Sequence, residues 1–217
     1  MIKHINIAVT NRCNLRCQMC DIWREKEKID ISPELIDKIF SSQHITSQTD
    51  VAITGGEPFL IDMDAFAKTI IHPINTITTN GVLTQRIVSF IQNYDRPKSF
   101  TLNISMDGII SHNKQRGKDS LCQVLKTIEA LQDQCTVCIK FVITPLNYTD
   151  LLPTYLYCRH HNIAFKPKLI EDASTYTNKL QEANTIFSQQ AKRHITKVLM
   201  YMYNLSNNKA FIKDTIK

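Results

Sequence analysis

The sequence has little of what marks several common classes of protein. No apolar run approaches the ~18 residues of a membrane-spanning helix, and the first residues lack the layout of a signal peptide. Lysine and arginine form no cluster dense enough to indicate nucleic-acid binding, and there is no internal repeat or low-complexity tract. We therefore expect a cytoplasmic protein without a nucleic-acid partner or a membrane partner.

An even set of cysteines is also lacking. The seven cysteines show no paired spacing, which argues against a secreted disulfide framework and suits a reducing compartment. Three of them, Cys13, Cys17 and Cys20, form a C-x3-C-x2-C pattern just after an apolar run. Three thiolates are one ligand short of a closed zinc site or of a fully cysteine-ligated iron–sulfur cluster. A [4Fe–4S] cluster held by these three would leave one iron open to another ligand.

Charge is spread unevenly over the 217 residues. The net charge is +6 in total, −1 over residues 1–108 and +7 over residues 109–217. The basic half favours an anionic ligand or substrate, with a solvated basic surface as the alternative. The composition, 43% hydrophobic and 21% charged, is that of an ordinary globular protein with one sizeable core.

Strand-like and helix-like segments alternate six times along the chain. This rhythm predicts an α/β fold, an open parallel sheet with outer helices, as a partial (β/α)6 TIM-like barrel. We expect one domain over residues 1–204 and a polar tail over residues 205–217. The predicted strands are 2–9, 50–54, 75–79, 99–106, 136–144 and 163–170, and the predicted helices begin near residues 33, 64, 84, 119, 150 and 179.

The unusual motifs all lie at the ends of predicted strands. They are the cysteine loop after the first strand, Gly55-Gly56-Glu57-Pro58 after the second, Asn80-Gly81 after the third and Ser105-Met106-Asp107-Gly108 at the fourth. Binding sites of parallel sheets lie at the carboxyl ends of the strands, so these motifs are expected to contribute to one site.

These motifs resemble those of the radical S-adenosylmethionine (SAM) superfamily, over about residues 2–170. The resemblance rests on the three cysteines, on the Gly-Gly-Glu-Pro motif at the next strand end, and on the Ser-Met-Asp-Gly segment followed by His112 and Arg116. Residues 10–17 and the Ser-x-Asp-Gly segment look like the branch that contains the molybdenum-cofactor cyclase, the anaerobic sulfatase-maturating enzymes and the peptide maturases.

The resemblance implies an enzyme with two cofactors, a [4Fe–4S] cluster on Cys13, Cys17 and Cys20 and SAM on the open iron. In this superfamily an electron delivered through the cluster cleaves SAM, and the resulting 5′-deoxyadenosyl radical takes a hydrogen atom from the substrate. The branch implies a small-molecule or peptide substrate, with a peptide or protein side chain favoured, and an external flavodoxin- or ferredoxin-like electron donor.

The resemblance also implies which residues contact SAM. Gly55 and Gly56 would let the backbone approach the methionine group, with an ordinary turn as the alternative. Glu57 would help to hold the ammonium group of SAM. Leu169 or Ile170, at the end of the sixth strand, would touch adenine unless they belong to the core.

Four further contacts are implied in the same way. Met19 would lie near adenine, with packing of the loop as the alternative. Ser105 and Asp107 would contact the SAM carboxylate or ribose, or else cap the next loop. Arg116 would pair with the methionine carboxylate, unless it is a surface arginine. His112 is expected to have a structural role in its loop.

The remaining cysteines are predicted to be packed in the core. Cys135 and Cys138 form a C-x2-C pattern, but this pattern runs into an apolar strand, and free cysteine is among the most buried residue types. Cys122 and Cys158, on predicted helices, are interpreted in the same way. No cysteine follows Cys158, whereas relatives in this branch commonly carry a C-terminal extension with ligands for auxiliary clusters.

Two other hypotheses stay open at the level of sequence. The first is a non-catalytic accessory protein that binds the cluster and SAM on the same scaffold. The second is a structural zinc protein in which His4 or His44 supplies the fourth ligand.

Overall fold

The computed structural model describes residues 1–70, 72–95, 99–117, 119–170 and 187–205. Six strands form one sheet in which they follow one another in chain order, and their pairing is parallel. The strands are β1 His4–Ala8, β2 Asp50–Thr54, β3 Ile74–Thr79, β4 Thr101–Ser105, β5 Thr136–Ile143 and β6 Ala164–Leu169.

Helices alternate with these strands, as the sequence predicts. They are α1 Pro33–Phe40, α2 Met63–Thr69, α3 Thr84–Asn93, α4 His112–Arg116, α5 Ser120–Leu131, α6 Leu151–His160 and α7 Gln189–Leu205. Short 3-10 turns cover Ile22–Arg24, Pro58–Leu60 and Tyr148–Asp150. Residues 179–186 of the last predicted helix and residues 206–217 of the predicted tail lie outside the described residues.

The start of α1 follows from its sequence. The Ser32 hydroxyl accepts a hydrogen bond from the Leu35 amide at 3.2 Å, and Pro33 occupies the first turn, where its missing N–H has no consequence. One apolar residue of α1, Leu35, is exposed. Ile36 is buried and Ile39 and Phe40 are half-buried, which is the i, i+3, i+4 stripe of a helix, and Leu35 lies beside that stripe.

The helix α4 differs from the prediction of a loop at this position. Its buried residues are His112, Gln115 and Arg116, all of them polar. Apolar periodicity is the main sequence signal for a surface helix, and a five-residue helix with a polar buried face does not show it.

The described chain divides into two compact units. Unit 1 comprises Met1–Leu15, Ile22–Ile104 and Gln123–Val137, and unit 2 comprises Arg16–Asp21, Ser105–Cys122 and Cys138–Lys217. Within the described residues, no helix is long and apolar enough to cross a membrane.

Each unit has its own apolar packing. In unit 1 the rings of Phe59 and Phe90 meet edge to face with centroids 5.7 Å apart, and the rings of Phe90 and Tyr94 stack at 5.0 Å. The Tyr94 hydroxyl accepts a hydrogen bond from the Ile74 amide. In unit 2, β5 packs against the helices that follow it, and the buried side chains there are Phe141, Ile143, Leu151, Ile170, Phe187, Ala191, Ile195, Val198, Leu199 and Met202.

Candidate active site

The chain enters the cysteine loop through a segment fixed by Asp30. The Asp30 carboxylate accepts hydrogen bonds from the Thr10 hydroxyl at 2.6 Å and from Nε and Nη2 of Arg12 at 3.0 and 2.6 Å. The Arg12 amide in turn donates to the Thr10 hydroxyl at 3.0 Å. The residues just before Cys13 are therefore held through both side chain and backbone. Asp30 carried no signal in the sequence, because it lies in a charged connecting stretch.

Gly55 and Gly56 lie against the same entry segment. The Gly56 amide donates to the Thr10 carbonyl at 2.7 Å, and the Glu57 amide donates to the Arg12 carbonyl at 2.8 Å. A Cβ at Gly55 would overlap the Thr10 carbonyl oxygen, and one at Gly56 would overlap that of Arg12. The close approach that requires glycine is thus made to the chain's own backbone beside the cysteine loop. Contact of these glycines with SAM stays a prediction.

The Glu57 side chain is fully buried and joins two strand ends. Its Oε1 accepts from the Thr79 hydroxyl at 2.7 Å and from the Phe59 amide at 3.2 Å, and Oε2 accepts from the Asn80 amide at 2.7 Å. These bonds compensate the burial of the carboxylate and tie the end of β2 to the end of β3. The contact of Glu57 with the SAM ammonium group stays a prediction.

Asn80 connects the end of β3 to the first cysteine. Its side-chain Nδ2 donates to Asn14 Oδ1 at 2.7 Å and lies 4.0 Å from the Cys13 sulfur. The Leu15 amide points to the same sulfur at 3.5 Å. N–H groups around a ligating sulfur stabilise its thiolate and tune the potential of a cluster. From the sequence, Asn80-Gly81 was noted only as a motif at the end of a strand. The feature that could have indicated a role for Asn80 is its polar side chain just beyond that strand.

In unit 2, the second part of the cysteine loop contacts α4. The Gln18 amide donates to the Gln115 carbonyl at 2.9 Å, and the Cys17 sulfur lies 3.8 Å from the Arg116 carbonyl oxygen. The Cys20 amide donates to the Cys17 carbonyl at 3.2 Å, which closes a tight turn between these two cysteines. Cys17 is buried and Cys20 is half-buried.

Asp107 and Arg116 form a buried ion pair. Asp107 Oδ2 accepts from Arg116 Nε, and Oδ1 accepts from the Val142 amide at 2.7 Å. Burial is the largest influence on the pKa of Arg116 and lowers it, but the charges of Asp107, Cys17 and Cys20 together raise the pKa above its ordinary value. A fixed positive charge therefore acts on both cysteines. The alternative of a surface arginine is wrong, because Arg116 is only 8% exposed.

His112 is fully buried beside this pair and is neutral. Its Nδ1 accepts from the Asp107 amide at 3.1 Å, and its Nε2 has no hydrogen-bond partner in the described part of the chain. Burial first, and then the charge of Arg116, lower the pKa of His112 to about 4, against the opposing effect of Asp107. This arrangement agrees with the structural role expected from the sequence.

A polar network beyond α4 was not predicted from the sequence. Gln115 Oε1 accepts from the Thr144 hydroxyl at 2.6 Å, and Asn147 Oδ1 accepts from the Thr144 amide at 2.7 Å. Asn147 also donates to the Asp107 carbonyl at 3.1 Å. The network fixes the backbone of Asp107 from the end of β5. The sequence feature that could have indicated this network is the position of Thr144 and Asn147 at the end of a strand.

The other predicted SAM contacts lie in unit 2. Met19 packs against the apolar cluster around β5 and α7, which is the loop packing that the sequence left as an alternative. Ser105 is half-buried at the last residue of β4, and Leu169 is 36% exposed at the last residue of β6. Ile170, the other candidate for adenine, belongs to the buried core. The contacts of Met19, Ser105 and Leu169 with SAM stay predictions.

The cysteines outside the loop differ in burial. Cys138 and Cys158 are buried as predicted, and burial raises the pKa of both thiols, that of Cys158 to about 12. Such thiols are neutral and unreactive. The prediction for Cys122 is wrong, because this residue lies on the exposed side of α5, and Cys135 is only half-buried before β5.

The three thiol side chains of the cysteine loop are the type of ligand that an iron–sulfur cluster requires. None of the seven cysteines is in a disulfide, so Cys13, Cys17 and Cys20 are available as thiolates. Among the described residues, no group of three or more His, Cys, Asp or Glu side chains is arranged for a single metal ion. A [4Fe–4S] cluster places each cysteine on its own iron, so its ligands need not meet at one point. No described group supports the zinc hypothesis with His4 or His44.

Comparison with known proteins decides the family. The model of the radical SAM superfamily matches residues 7–157. The chain belongs to the radical SAM superfamily. Members of this superfamily are enzymes that use a [4Fe–4S] cluster and SAM. The predictions of the family and of its two cofactors are thereby confirmed.

The relatives by sequence are named GTP 3′,8-cyclase. The chain is 31% identical to that of Sulfurovum sp. over 183 residues, which are 76% of this chain and 54% of the relative. It is 27% identical to that of Helicobacter pylori over 183 residues, 76% of this chain and 55% of the relative. This radical SAM chain thus spans about half the length of the curated relatives it matches.

Solved structures confirm the predicted fold. Streptococcus suis SuiB bound to S-adenosylmethionine matches with a TM-score of 0.72 over 96% of this chain and 49% of SuiB. The anSMEcpe structure with bound AdoMet and a peptide matches with a TM-score of 0.67 over 93% of this chain and 59% of its own. Both are 18% identical in sequence, so they establish the partial-barrel α/β fold and nothing further.

Proposed function

We propose that this chain is a radical SAM enzyme that holds its [4Fe–4S] cluster through Cys13, Cys17 and Cys20 and abstracts a hydrogen atom from its substrate. When bound, the cluster and SAM supply the reductive cleavage that yields a 5′-deoxyadenosyl radical. The observation that carries this proposal is the C-x3-C-x2-C loop in a chain of this superfamily. Gly55, Gly56 and the Asp30 network support it, because they hold the backbone that enters the loop.

In unit 1, Asn80 stabilises the thiolate of Cys13. The amide of Asn80 is aimed at the sulfur while it is anchored on Asn14, so it is already oriented before a cluster binds. Glu57 fixes Asn80 through the backbone and, in this proposal, presents its carboxylate to the SAM ammonium group. Gly55 and Gly56 complete that contact with their backbone.

In unit 2, Arg116 acts on the cysteines and on SAM. Its charge favours the thiolates of Cys17 and Cys20, and Asp107 holds it through Nε. We assign its remaining N–H groups to the methionine carboxylate of SAM, since a guanidinium pairs well with a carboxylate. Ser105 is assigned to the ribose or carboxylate of SAM, and Met19 and Leu169 are assigned to adenine.

The same proposal extends to the substrate, the electron donor and the cellular compartment. The relatives by sequence are named for GTP, a small molecule, and SuiB has been solved with the precursor peptide SuiA. We accordingly propose a small-molecule or peptide substrate and an external flavodoxin- or ferredoxin-like electron donor. Seven cysteines without a disulfide support a reducing compartment, the cytoplasm.

Metal analysis and spectroscopy of the anaerobically reconstituted protein test this proposal. We expect about four irons per chain and an electron paramagnetic resonance signal of the reduced cluster that changes when SAM is added. Replacing Cys13, Cys17 and Cys20 by alanine should remove both, whereas Cys122→Ala, at an exposed thiol outside the loop, should keep both. One zinc and no iron would contradict the proposal. Cluster and SAM binding without cleavage of SAM would favour the accessory protein.

A further inference from the structure

Within unit 2, the side chain of Asp150 holds a segment that lies far before it in the chain. Its Oδ2 accepts hydrogen bonds from the Ile110 amide at 2.7 Å, from the Ser111 amide at 2.9 Å and from the Ser111 hydroxyl at 2.8 Å. Asp150 is only 3% exposed, so these bonds compensate the burial of its carboxylate. One buried oxygen therefore fixes residues 108–111, the segment that leads into α4, which we call the α4 entry.

The position of Asp150 just before α6 would ordinarily give it another use. An aspartate at the N-cap of a helix usually accepts a hydrogen bond from an amide of the first turn. Asp150 makes no such bond, and its backbone is in the right-handed helical conformation instead of the extended one that is usual for an N-cap. The side chain of Asp150 thus serves the α4 entry and not its own helix.

The α4 entry is shaped around this carboxylate. Gly108 has a φ of 129°, which residues with a side chain rarely adopt. A Cβ on Gly108 would overlap both Asp150 Oδ2 and the Ser111 hydroxyl oxygen. The same hydroxyl lies 2.9 Å from the Asp107 carbonyl oxygen, so Asp150 and Asp107 share its proton. The chain comes this close to Asp150 because glycine stands at position 108.

Apolar packing contributes little to the α4 entry. The side chains of Ile109 and Ile110 are 37% and 85% exposed. A segment whose large side chains face water has little to hold it apart from its hydrogen bonds, and its local stability depends on them. Removing the Asp150 carboxylate would take the acceptor from three donors at once, so we expect the α4 entry to loosen while the rest of unit 2 stays folded.

The α4 entry joins the two members of the buried ion pair. Asp107 directly precedes it, and α4, which carries Arg116, directly follows it. Asn147 holds the Asp107 carbonyl from the end of β5, and the Gln115 side chain holds the end of α4. Asp150 supplies the third restraint, at the start of α4. The position of the Arg116 guanidinium therefore depends on the side chain of Asp150.

The second oxygen of Asp150 indicates how this restraint works. Oδ1 is buried and has no hydrogen-bond partner in the part of the chain that the structure describes. The bonds to Oδ2 all come from uncharged donors. Asp150 thus acts as an acceptor for backbone amides, and an asparagine in its place would keep an oxygen for both of them.

We propose that Asp150 is a positioning residue for SAM, whose carboxylate fixes the α4 entry and thereby the orientation of Arg116 towards the methionine carboxylate. This inference rests on the proposed function, which assigns Arg116 to SAM, and deepens it by naming the group that keeps Arg116 in place. The effect of Asp150 passes through the backbone of the α4 entry and requires no contact with SAM.

Equilibrium titration of the anaerobically reconstituted protein with SAM tests this role, with the cluster left oxidised so that SAM is not cleaved. We expect Asp150→Ala to keep the iron content of the wild type but to bind SAM about ten-fold more weakly. Asp150→Asn, which keeps the acceptor oxygen, should bind SAM within about two-fold of the wild type.

The matched control is Thr154→Ala. It removes the hydrogen bond from the Thr154 hydroxyl to the Asp150 carbonyl, at the start of the same helix, and leaves the α4 entry untouched. This variant should bind SAM within about two-fold of the wild type. Ser111→Ala, which removes one of the three donors to Oδ2, should weaken SAM binding about four-fold and keeps the comparison available if Asp150→Ala fails to fold.

SAM affinity in Asp150→Ala and Ser111→Ala equal to that of the control would overturn the inference, because a purely structural role lowers stability without changing the affinity of folded protein. Equal weakening in Asp150→Asn and Asp150→Ala would overturn it as well, since the asparagine oxygen can still accept both amide bonds.

The same wild-type sample is assayed for 5′-deoxyadenosine with dithionite and SAM. Cleavage of SAM by the wild type, together with unchanged affinity in Asp150→Ala, would refute the inference and leave the proposed function in place. Weaker SAM binding in Asp150→Ala without any cleavage by the wild type would refute the proposed function alone.

Discussion

At the scale of single residues, the two aspartate–arginine pairs of the candidate site differ in burial. The side chains of Asp107 and Arg116 are 0% and 10% exposed, whereas those of Asp30 and Arg12 are 43% and 41% exposed. A buried pair is costly to break, because the partner that remains is a charge without compensation. An exposed pair loses little, because water solvates the remaining charge.

This difference predicts unequal effects of removing each carboxylate. Asp107→Ala should lower the free energy of unfolding by about 3–5 kcal/mol, since it leaves the Arg116 guanidinium buried and unpaired. Asp30→Ala should lower it by about 1 kcal/mol. Urea denaturation of the apo-proteins measures both values. Similar losses in the two variants would contradict the burial of the Asp107–Arg116 pair.

The lowered pKa of buried His112 leads us to expect that the free energy of unfolding depends on pH. The unfolded chain protonates this imidazole near its ordinary pKa of 6.5, whereas the folded state does so only near pH 4. The unfolded state then binds more protons between these values, so the contribution of His112 is present above pH 6.5 and is lost as the pH falls towards 4.

For apo-protein, we expect His112 to account for a loss of about 2 kcal/mol of unfolding free energy between pH 7 and pH 5. Between pH 7 and pH 5, the unfolding free energy of the His112→Asn variant should fall less than that of the wild type, and the difference should equal the contribution of His112. Urea denaturation at each pH measures both values. Equal pH dependence in both proteins would show that His112 is not held neutral by the fold.

At the scale of elements, the turn after β2 positions the cysteine loop. The two strands that carry these segments, β1 and β2, are paired along their whole length from His4 with Asp50 to Ala8 with Thr54. The turn at Gly55-Gly56 continues this pairing onto Thr10 and Arg12. The loop that carries Cys13 is therefore an extension of the sheet.

Gly56→Ala tests this continuity. The new methyl group would overlap the Arg12 carbonyl oxygen, and a backbone group cannot move aside as a side chain can. We expect a loss of about 1–3 kcal/mol in stability, together with fewer irons bound per chain after reconstitution. Thr54→Ala, two residues earlier at the last position of β2, is the control and should keep its iron. Full iron content in Gly56→Ala would contradict the role given to this turn.

Some elements were predicted from the sequence at their observed positions, and others were missed. β2 was predicted at its observed bounds, because Asp50–Thr54 is a short apolar run that ends in two glycines. The helix α4 was missed, because His112, Gln115 and Arg116 are buried for their hydrogen bonds and charges, which leave no apolar period. Asp30 was missed because its partners Thr10 and Arg12 lie 20 and 18 residues away, and the bond from Asn147 to the Asp107 carbonyl spans 40 residues.

At the scale of the whole molecule, the alternation of strands and helices was enough to predict the fold class. Every one of the six predicted strands is present in the sheet, in chain order. The cysteine spacing and the strand-end motifs were enough to predict the superfamily. SuiB, of which this chain covers 49%, shares this fold, and a shared fold does not determine the substrate.

The proposed role of the three-cysteine loop is to make this chain a SAM-cleaving enzyme. Its most direct test is the amount of 5′-deoxyadenosine that the anaerobically reconstituted protein forms from SAM and dithionite, measured by liquid chromatography with mass spectrometry. We expect the wild type and Cys122→Ala to form 5′-deoxyadenosine and the Cys13→Ala, Cys17→Ala, Cys20→Ala triple variant to form none. Absence of 5′-deoxyadenosine from wild-type protein that contains its cluster, or equal formation by the triple variant, would contradict this role of the loop.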